Sequence, residues 1–161
     1  MGQTQRPPID GTRVRQIFGY DENGLYRLKN GKRSFLANSK GYRGFKIDRV
    51  MYLEHRLVWM FHFEFAPDTL DHINGNPADN RVENLRPATR SQNMYNRHKS
   101  VNNTSGVKGV YFEGRTGKWV ARLRCNKKKI HVGRFKTVED AALAMQFART
   151  DAHGTFANFG V

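Results

Sequence analysis

The stretch that decides the fold runs from Leu70 to Asn96 and reads LDHINGNPADNRVENLRPATRSQNMYN. Asp71 and His72 stand side by side, just before a turn-forming Asn-Gly-Asn-Pro run. That run predicts that Asp71 and His72 end a strand and enter a loop. A second short strand is predicted over residues 82–85. The segment Thr89-Arg90-Ser91-Gln92 has capping-box spacing, so a helix is expected to start there.

The predicted unit of strand, loop, strand and helix allows four polar side chains to converge. Asp71 is an anionic oxygen ligand and Asn93 offers an amide oxygen, a pair that leaves room for the water and phosphate that Mg²⁺ retains. His72 is the side chain best able to take a proton from water near neutral pH. Asn84 is expected to accept a hydrogen bond from one imidazole nitrogen, which leaves the other nitrogen as the base. This set of residues suits metal-dependent cleavage of a phosphodiester.

Residues 55–97 resemble the HNH, or ββα-metal, nuclease motif of phage and intron-encoded homing endonucleases. The resemblance is carried by Asp71-His72, Asn84-Leu85, Ser91 with Asn93, and the lead-in His55-Arg56-Leu57-Val58-Trp59. It implies that His72 is the general base and that Asn84 is its orienting partner. It also implies that Asp71 and Asn93 bind one divalent metal ion, Mg²⁺ or alternatively Mn²⁺. Asn96 lies one helical turn beyond Asn93 and is an alternative ligand.

The charge distribution indicates a polyanionic partner. The chain of 161 residues has 28 Lys and Arg against 14 Asp and Glu, a formal net charge of +14 at pH 7. Such an excess points most simply to nucleic acid. Residues 54–98 have 5 basic and 6 acidic side chains, whereas residues 1–53 have 11 and 4, and residues 99–161 have 12 and 4. A near-neutral catalytic segment is therefore expected between two basic segments that hold DNA.

Several other classes of protein are not expected. The single cysteine, Cys125, excludes an internal disulfide and a cysteine-rich zinc site, and it fits a reducing cytoplasm. The N-terminal residues do not resemble a secretory signal, and no segment approaches transmembrane length. His55 and His62 lie on a helix predicted over residues 54–63. A packing role is favoured for both, because no further metal ligands are nearby in the sequence.

The chain is predicted to have four successive segments. Residues 1–53 form a strand-rich basic lead-in: a polar tail over residues 1–12, then short apolar segments that alternate with turns and predict a small antiparallel meander. Residues 54–98 are the nuclease unit. Residues 99–105 are polar and small, which is typical of a linker, and residues 106–161 form a separate DNA-binding domain.

Residues 106–161 predict a three-stranded antiparallel sheet packed on one helix. Strands are expected over residues 107–112, 118–125 and 129–135, because apolar and polar residues alternate there. Thr137 is expected to cap a helix that Gly154 ends, with apolar residues at helical intervals. The outer face of the sheet would gather Arg122, Arg124, Lys129 and His131, and a sheet with such a face can lie in the major groove.

This last segment resembles the Apetala-two/ethylene-response-factor (ERF) DNA-binding domain, which is also attached to phage HNH endonucleases. The matching residues are Lys108-Gly109-Val110, Gly117-Lys118-Trp119, the run from His131 to Phe135, the run from Glu139 to Ala142, and Asn158-Phe159. The resemblance implies DNA contacts from Lys108, Tyr111, Arg115, Arg122, Arg124, Lys129 and His131. Tyr111 and Glu113 stand where that family usually has arginine, so the target sequence does not transfer.

The sequence as a whole predicts an α+β protein with a strand-rich lead-in, a ββα-metal HNH unit and a C-terminal sheet on one helix. The predicted activity is that of a homing-type endonuclease that nicks one strand of double-stranded DNA. We expect a monomer without an obligatory protein partner or a membrane partner, in the cytoplasm of a phage-infected bacterium. The alternative is a non-catalytic DNA-binding regulator with a decayed nuclease fold, against which the intact motif residues argue.

Overall fold

The chain folds into two compact units, which divide between Pro87 and Ala88. The structure is a computed structural model and describes residues 9–160. Most of the tail predicted over residues 1–12 therefore lies outside the described residues. The predicted α+β class is confirmed, since the described residues combine small antiparallel sheets with α-helices.

The first unit opens with a helix that the sequence analysis placed among strands. This helix, α1 (Gly11–Ile17), starts at Asp10, whose side chain accepts a hydrogen bond of 2.9 Å from the Arg13 backbone N–H. Val14 is fully buried and faces the core. Gly11 packs against the end of the predicted helix over residues 54–63, and a Cβ on it would lie 2.4 Å from the Met60 carbonyl oxygen. The cap and this close approach therefore decide the local structure.

The predicted strand-rich lead-in follows α1 as two small antiparallel sheets. One is a hairpin of β1 (Phe18–Asp21) and β2 (Gly24–Arg27). The other has the order β3 (Phe35–Leu36), β4 (Arg43–Ile47), β5 (Val50–Leu53). Helix α2 (Glu54–Phe63) comes next, as predicted. These elements share one hydrophobic core, which consists of Val14, Phe18, Leu25, Phe45, Ile47, Leu57, Val58 and Leu85. Burial of each large apolar side chain stabilises the unit by about 1.5–3 kcal/mol.

The two strands predicted within residues 70–96 pair as a short antiparallel ladder. Strand β6 (Leu70–His72) ends at the predicted position, and its partner is β7 (Leu85–Pro87). The second strand begins later than predicted, because residues 82–84 form a 3₁₀ turn that the Leu85 backbone N–H closes onto the Val82 carbonyl. The ladder places Asp71 opposite Arg86 and His72 opposite Leu85.

The second unit begins with helix α3 (Arg90–Tyr95), which starts at the predicted capping box. Thr89 accepts a hydrogen bond from the Gln92 backbone N–H, and the Gln92 side chain accepts one from the Thr89 backbone N–H. The three predicted strands follow as β8 (Val110–Glu113), β9 (Lys118–Cys125) and β10 (Lys128–Phe135), with β9 in the centre. Helix α4 (Val138–His153) packs on this sheet, capped by Thr137 and ended at Gly154 as predicted.

Helix α3 contacts the C-terminal sheet and helix α4 within the second unit. The Tyr95 ring stacks on the His153 ring with centroids 4.0 Å apart, and its hydroxyl accepts a hydrogen bond of 2.8 Å from the Asn126 backbone N–H. Lys108 donates from Nζ to the carbonyl oxygens of Tyr95 and Arg97 at the end of the helix. The compact unit therefore starts at residue 88, whereas the sequence analysis started its last domain at residue 106. Within residues 9–160, no helix combines the length and the apolar character needed to cross a bilayer.

Candidate active site

The two motif residues at the end of β6 are both buried in the first unit. Asp71 is 3% exposed and His72 is 6% exposed. Adjacent residues of a strand point to opposite faces, so the ladder sends the two side chains into different surroundings. Asp71 faces Arg86 across the ladder, whereas the His72 ring meets the loop that follows β6.

His72 is bonded to a residue that the sequence analysis did not select. Its Nε2 lies 2.9 Å from the Asn80 side-chain oxygen, and Asn80 in turn donates from Nδ2 to a Glu54 carboxyl oxygen at 2.8 Å. The same Glu54 oxygen accepts a hydrogen bond of 2.7 Å from the Ser34 hydroxyl. All four side chains are buried, so this chain of hydrogen bonds is shielded from water. The ring of His72 is therefore held through Asn80 by the first residue of α2.

The direction of these bonds assigns the protonation of the His72 ring. The Glu54 oxygen accepts from both Ser34 and Asn80, so the Asn80 amide group points its nitrogen toward Glu54 and its oxygen toward His72. An amide oxygen only accepts, so His72 carries a proton on Nε2 and donates it to Asn80. A neutral ring with its proton on Nε2 has its lone pair on Nδ1. The network therefore selects Nδ1 as the basic nitrogen of His72.

Asn84 was expected to accept a hydrogen bond from the His72 ring, and here the structure requires a correction. The Asn84 side chain accepts from the Asn74 backbone N–H at 3.0 Å and donates to the Asp79 carbonyl oxygen at 2.7 Å. It also donates to the Asn74 side-chain oxygen at 3.0 Å. These bonds tie together the two ends of the loop that runs from β6 to the 3₁₀ turn. Asn84 is placed to brace the loop that supplies Asn80, because its own amide groups are used by that loop.

Asp71 forms a buried ion pair with Arg86. Both the Nε and the Nη2 atoms of Arg86 approach the Asp71 Oδ2 atom, at 2.9 and 2.8 Å. A buried carboxylate requires such a partner. The donor set of one carboxylate and one amide fits Mg²⁺, which keeps several waters, better than a metal held in an all-protein cage. Among residues 9–160, no three or more His, Cys, Asp and Glu side chains are grouped so that they could hold a metal ion.

His55 packs directly against the candidate base. Its ring centroid lies 5.1 Å from that of His72 and 5.4 Å from that of Tyr42. Burial, together with the positive charge that His72 would carry, lowers the pKa of His55 to about 3. His55 therefore stays neutral at ordinary pH and serves as a wall of the site, the packing role that the sequence analysis favoured over metal binding.

The two candidate amide ligands of α3 have different surroundings in the second unit. Asn93 is partly exposed on the helix. Asn96 is 5% exposed, and its side-chain oxygen accepts a hydrogen bond of 3.3 Å from Asn158. Burial of Asn96 within its own unit favours Asn93 as the residue that is accessible to a metal. The convergence of Asn93 with Asp71 stays a prediction.

The candidate DNA-binding residues of the second unit lie mostly on one sheet face. The register pairs Arg122 with His131 and Arg124 with Lys129, and directly opposed residues share a face. The Arg122 guanidinium also lies 5.6 Å from the centroid of the Tyr111 ring. Arg115 is exposed in the turn between β8 and β9. The ordered cationic face is thus present where the alternation of residues predicted it.

Lys108 differs from the other predicted DNA contacts. Its ammonium group is bonded to the two backbone carbonyls at the end of α3, and burial, followed by the charges of Arg149 and Arg97, lowers its pKa to about 8. The interaction of a lysine with the last carbonyls of a helix is a common way to end it. The structure therefore gives Lys108 an internal partner, and its predicted contact with DNA is untested.

Sequence reasoning missed Asn80 and Glu54 for an identifiable reason. Asn80 is one of several asparagines in a turn-rich loop, where such residues usually serve the turn itself. Glu54 reads as an ordinary acidic residue in the first turn of a helix. A carboxylate at the start of α2 and an amide 26 residues later show no common spacing. Only the packing of α2 against the loop brings them to His72.

Comparison with known proteins relates part of this chain to a nuclease family. A family model described as HNH endonuclease matches residues 52–95, which include Glu54, Asp71, His72 and Asn80. Over 90 residues the chain is 31% identical to protein 3.8 of Escherichia phage T7, a match that covers 56% of this chain and 74% of that protein. No solved structure matches the chain. The family match ends at residue 95, so the Apetala-two/ERF resemblance stays a prediction. On these grounds the chain belongs to the same family as phage T7 protein 3.8 and contains an HNH endonuclease domain over residues 52–95.

Proposed function

We propose that this protein is a homing-type DNA endonuclease that uses one divalent metal ion to hydrolyse phosphodiester bonds of double-stranded DNA. The observation that carries the proposal is the buried hydrogen-bond chain from His72 through Asn80 to Glu54, next to Asp71. A surface histidine in a turn would not need such support. A general base does, because its ring must keep one orientation and one tautomer.

His72 is the proposed general base. Asn80 accepts the hydrogen bond from the Nε2 proton. The ring then takes a proton from the attacking water onto Nδ1, and the ring becomes positively charged. The Asn80 oxygen then stabilises the imidazolium, since it accepts the Nε2 proton in both states. Asn84 acts on His72 indirectly, because it stabilises the loop that contains Asn80.

Asp71 and Asn93 are the proposed metal ligands, and Mg²⁺ is the proposed ion. When bound, the ion would polarise the scissile phosphate and offset charge on the leaving oxygen. Arg86 pairs with the buried Asp71 carboxylate and holds it in one orientation. It also competes for one carboxylate oxygen, so metal affinity in the absence of DNA is expected to be weak.

The second unit is the proposed targeting domain, of the Apetala-two/ERF type. Two observations support this: the order of its strands with one helix packed on the sheet, and the cationic face that carries Arg122, Arg124, Lys129 and His131. A single catalytic unit would cut one strand per encounter, so we propose a monomeric nickase. Since the relative is a phage protein, we also propose that the enzyme acts in the host cytoplasm.

The rival function is that of a DNA-binding regulator without nuclease activity. The ion pair between Asp71 and Arg86 is the one observation in its favour, because it occupies the candidate metal ligand. Incubation of the purified protein with supercoiled plasmid separates the two functions. The nuclease should produce nicked circles with Mg²⁺ or Mn²⁺ and none with chelator, and His72→Ala should abolish the nicking. Plasmid that stays intact in every metal, while the protein binds it, would establish the regulator.

A further inference from the structure

A cleft of about 590 Å³ opens on the second unit, between α3 and the part of β9 that extends beyond β8. Strand β8 begins opposite Ala121, so its pairing does not cover residues 123–125. Met94 and Tyr95 of α3 form one wall of the cleft, and Leu123 belongs to the other. The cleft has no acidic lining residue, whereas six of its lining residues are Lys or Arg: Lys108, Arg122, Arg124, Lys127, Lys129 and Arg149.

Arg149 is the unusual member of this set. Only 4% of its surface is exposed, and its one hydrogen bond among the described residues runs from Nη2 to the Lys108 carbonyl oxygen, at 2.8 Å. It forms no ion pair with any described Asp or Glu. A buried guanidinium normally has a carboxylate partner, because burial of an uncompensated charge is costly. Arg149 is instead held against Gly109, where a Cβ would lie 2.9 Å from Nη2.

The charge of Arg149 acts on its neighbours in the cleft. Burial first, and then the charge of Arg149, lowers the pKa of Lys108 to about 8. The pKa of His153 is also lowered, by burial and by the charges of Arg149 and Lys108, although its hydrogen bond to the Arg124 carbonyl opposes this. Burial is the largest cause of both shifts, and the neighbouring positive charges add to it because no acidic residue lines the cleft. A bound anion would relieve this repulsion.

We propose that this cleft, which shares Arg122, Arg124 and Lys129 with the outer face of the sheet, binds a backbone phosphate of the DNA substrate. The choice of DNA as the ligand rests on the proposed function. Guanidinium groups bond phosphate oxygens in pairs, and lysines add charge without a fixed direction. Met94 is half exposed and offers apolar surface to a sugar. Lys127 and Arg149, which the sequence analysis did not select, thereby become DNA-binding residues.

The test places a carboxylate in the cleft. Met94 lines the cleft and is half exposed, so Met94→Glu puts a negative charge among the lysines and arginines, while Met94→Gln is a neutral control of similar shape. Binding of the full chain to a fluorescent 30-base-pair duplex is measured by anisotropy with chelator present. Met94→Glu should bind about tenfold more weakly than Met94→Gln, because a like charge opposes the phosphate. Thermal unfolding with and without inorganic phosphate is the second readout.

Phosphate should raise the melting temperature of the wild type and of Met94→Gln, but not of Met94→Glu. Lys127→Gln should lower the slope of log affinity against log salt by about 0.9 relative to the exposed control Lys136→Gln. Equal DNA affinity of the Met94 variants would overturn the proposal, even if phosphate alone stabilised the protein. Plasmid nicking by the wild type is scored in parallel. If the wild type nicks plasmid but the two Met94 variants bind DNA equally well, only the proposal for the cleft fails. If the wild type neither nicks plasmid nor binds DNA, the proposed function fails.

Discussion

The Nε2 atom of His72 lies 2.9 Å from the side-chain oxygen of Asn80, and this bond decides which nitrogen of the ring can act as a base. The amide of Asn80 cannot turn over without losing its second bond, to Glu54 at 2.8 Å. One buried asparagine thus links the end of a strand to the start of a helix. It also supplies the orientation that the sequence analysis assigned to Asn84.

Replacement of the base should remove cleavage and spare binding. His72→Ala is expected to slow plasmid nicking by roughly 10²–10⁴-fold, the usual contribution of a general base. DNA affinity measured with chelator should stay within a factor of about two, since the ring is buried and its proposed role is proton transfer and not phosphate binding. Single-turnover nicking and anisotropy on the same preparation check both statements. Nicking at the wild-type rate would refute the assigned role.

Asn80→Leu is the variant that isolates the orienting bond. It should lower kcat by about 10–100-fold, the range seen when a supporting partner is lost. KM for DNA should change little, because Asn80 is buried and does not reach substrate. The pH profile should also shift, because Nε2 loses its acceptor and the imidazolium loses a stabilising contact. Asn102→Leu is an exposed control. A variant that raised KM alone, with an unchanged pH profile, would count against an orienting role for Asn80.

Substitution of Asn93 and of Asn96 should show which one is a metal ligand and which one has a structural role. Asn93→Ala should raise the Mg²⁺ concentration needed for half-maximal nicking and leave thermal stability near that of the wild type. Asn96→Ala should lower the melting temperature, because the change removes a buried amide and its bond to Asn158. Mg²⁺ titrations of nicking and melting curves on both variants provide the comparison. The reverse pattern would make Asn96 the ligand.

His55 should make the first unit sensitive to acid. Its folded pKa of about 3 lies below the ordinary value of 6.5, so the unfolded chain binds the proton more readily between these pH values. The free energy of unfolding should therefore fall as pH drops below 6.5, at a rate approaching about 1.4 kcal/mol per pH unit. Urea unfolding at pH 7.5, 6 and 5 measures this slope. His55→Phe should flatten it, while the exposed control His131→Gln should keep it.

Substitution of Lys108 should mainly affect stability, whereas substitution of Arg122 should mainly affect DNA binding. Lys108→Met should mainly destabilise the second unit, since Nζ holds the carbonyls of Tyr95 and Arg97. Arg122→Gln, on the exposed sheet face, should mainly weaken DNA binding and reduce the salt slope by about 0.9. Melting curves and salt titrations of anisotropy distinguish them. A reduced salt slope with unchanged stability in Lys108→Met would return Lys108 to the set of direct phosphate contacts.

The local signals of the sequence were sufficient for most of the elements. The turn-forming run after His72, the capping box at Thr89 and the alternation over residues 118–125 each depend on neighbours within a few residues, so they can be read from the chain. The helix at residues 11–17 was missed because its stability depends on the distant Met60 and Glu64 backbone, which Gly11 approaches closely. The second motif strand began late because the amide of Asn84 was engaged by the loop.

The sequence alone thus determined the α+β class, the HNH motif and the face on which Arg122, Arg124, Lys129 and His131 meet. Periodicity and turn chemistry encode these features locally. Only the tertiary structure decided that Asn80 and Glu54 orient His72, that α3 packs with the C-terminal sheet, and that Arg149 is buried without a carboxylate partner. The contacts behind these features join residues between 8 and 58 positions apart, and most of them are separated by 26 or more. Side-chain burial and hydrogen-bond direction at such separations follow from packing, and no short pattern along the chain records them.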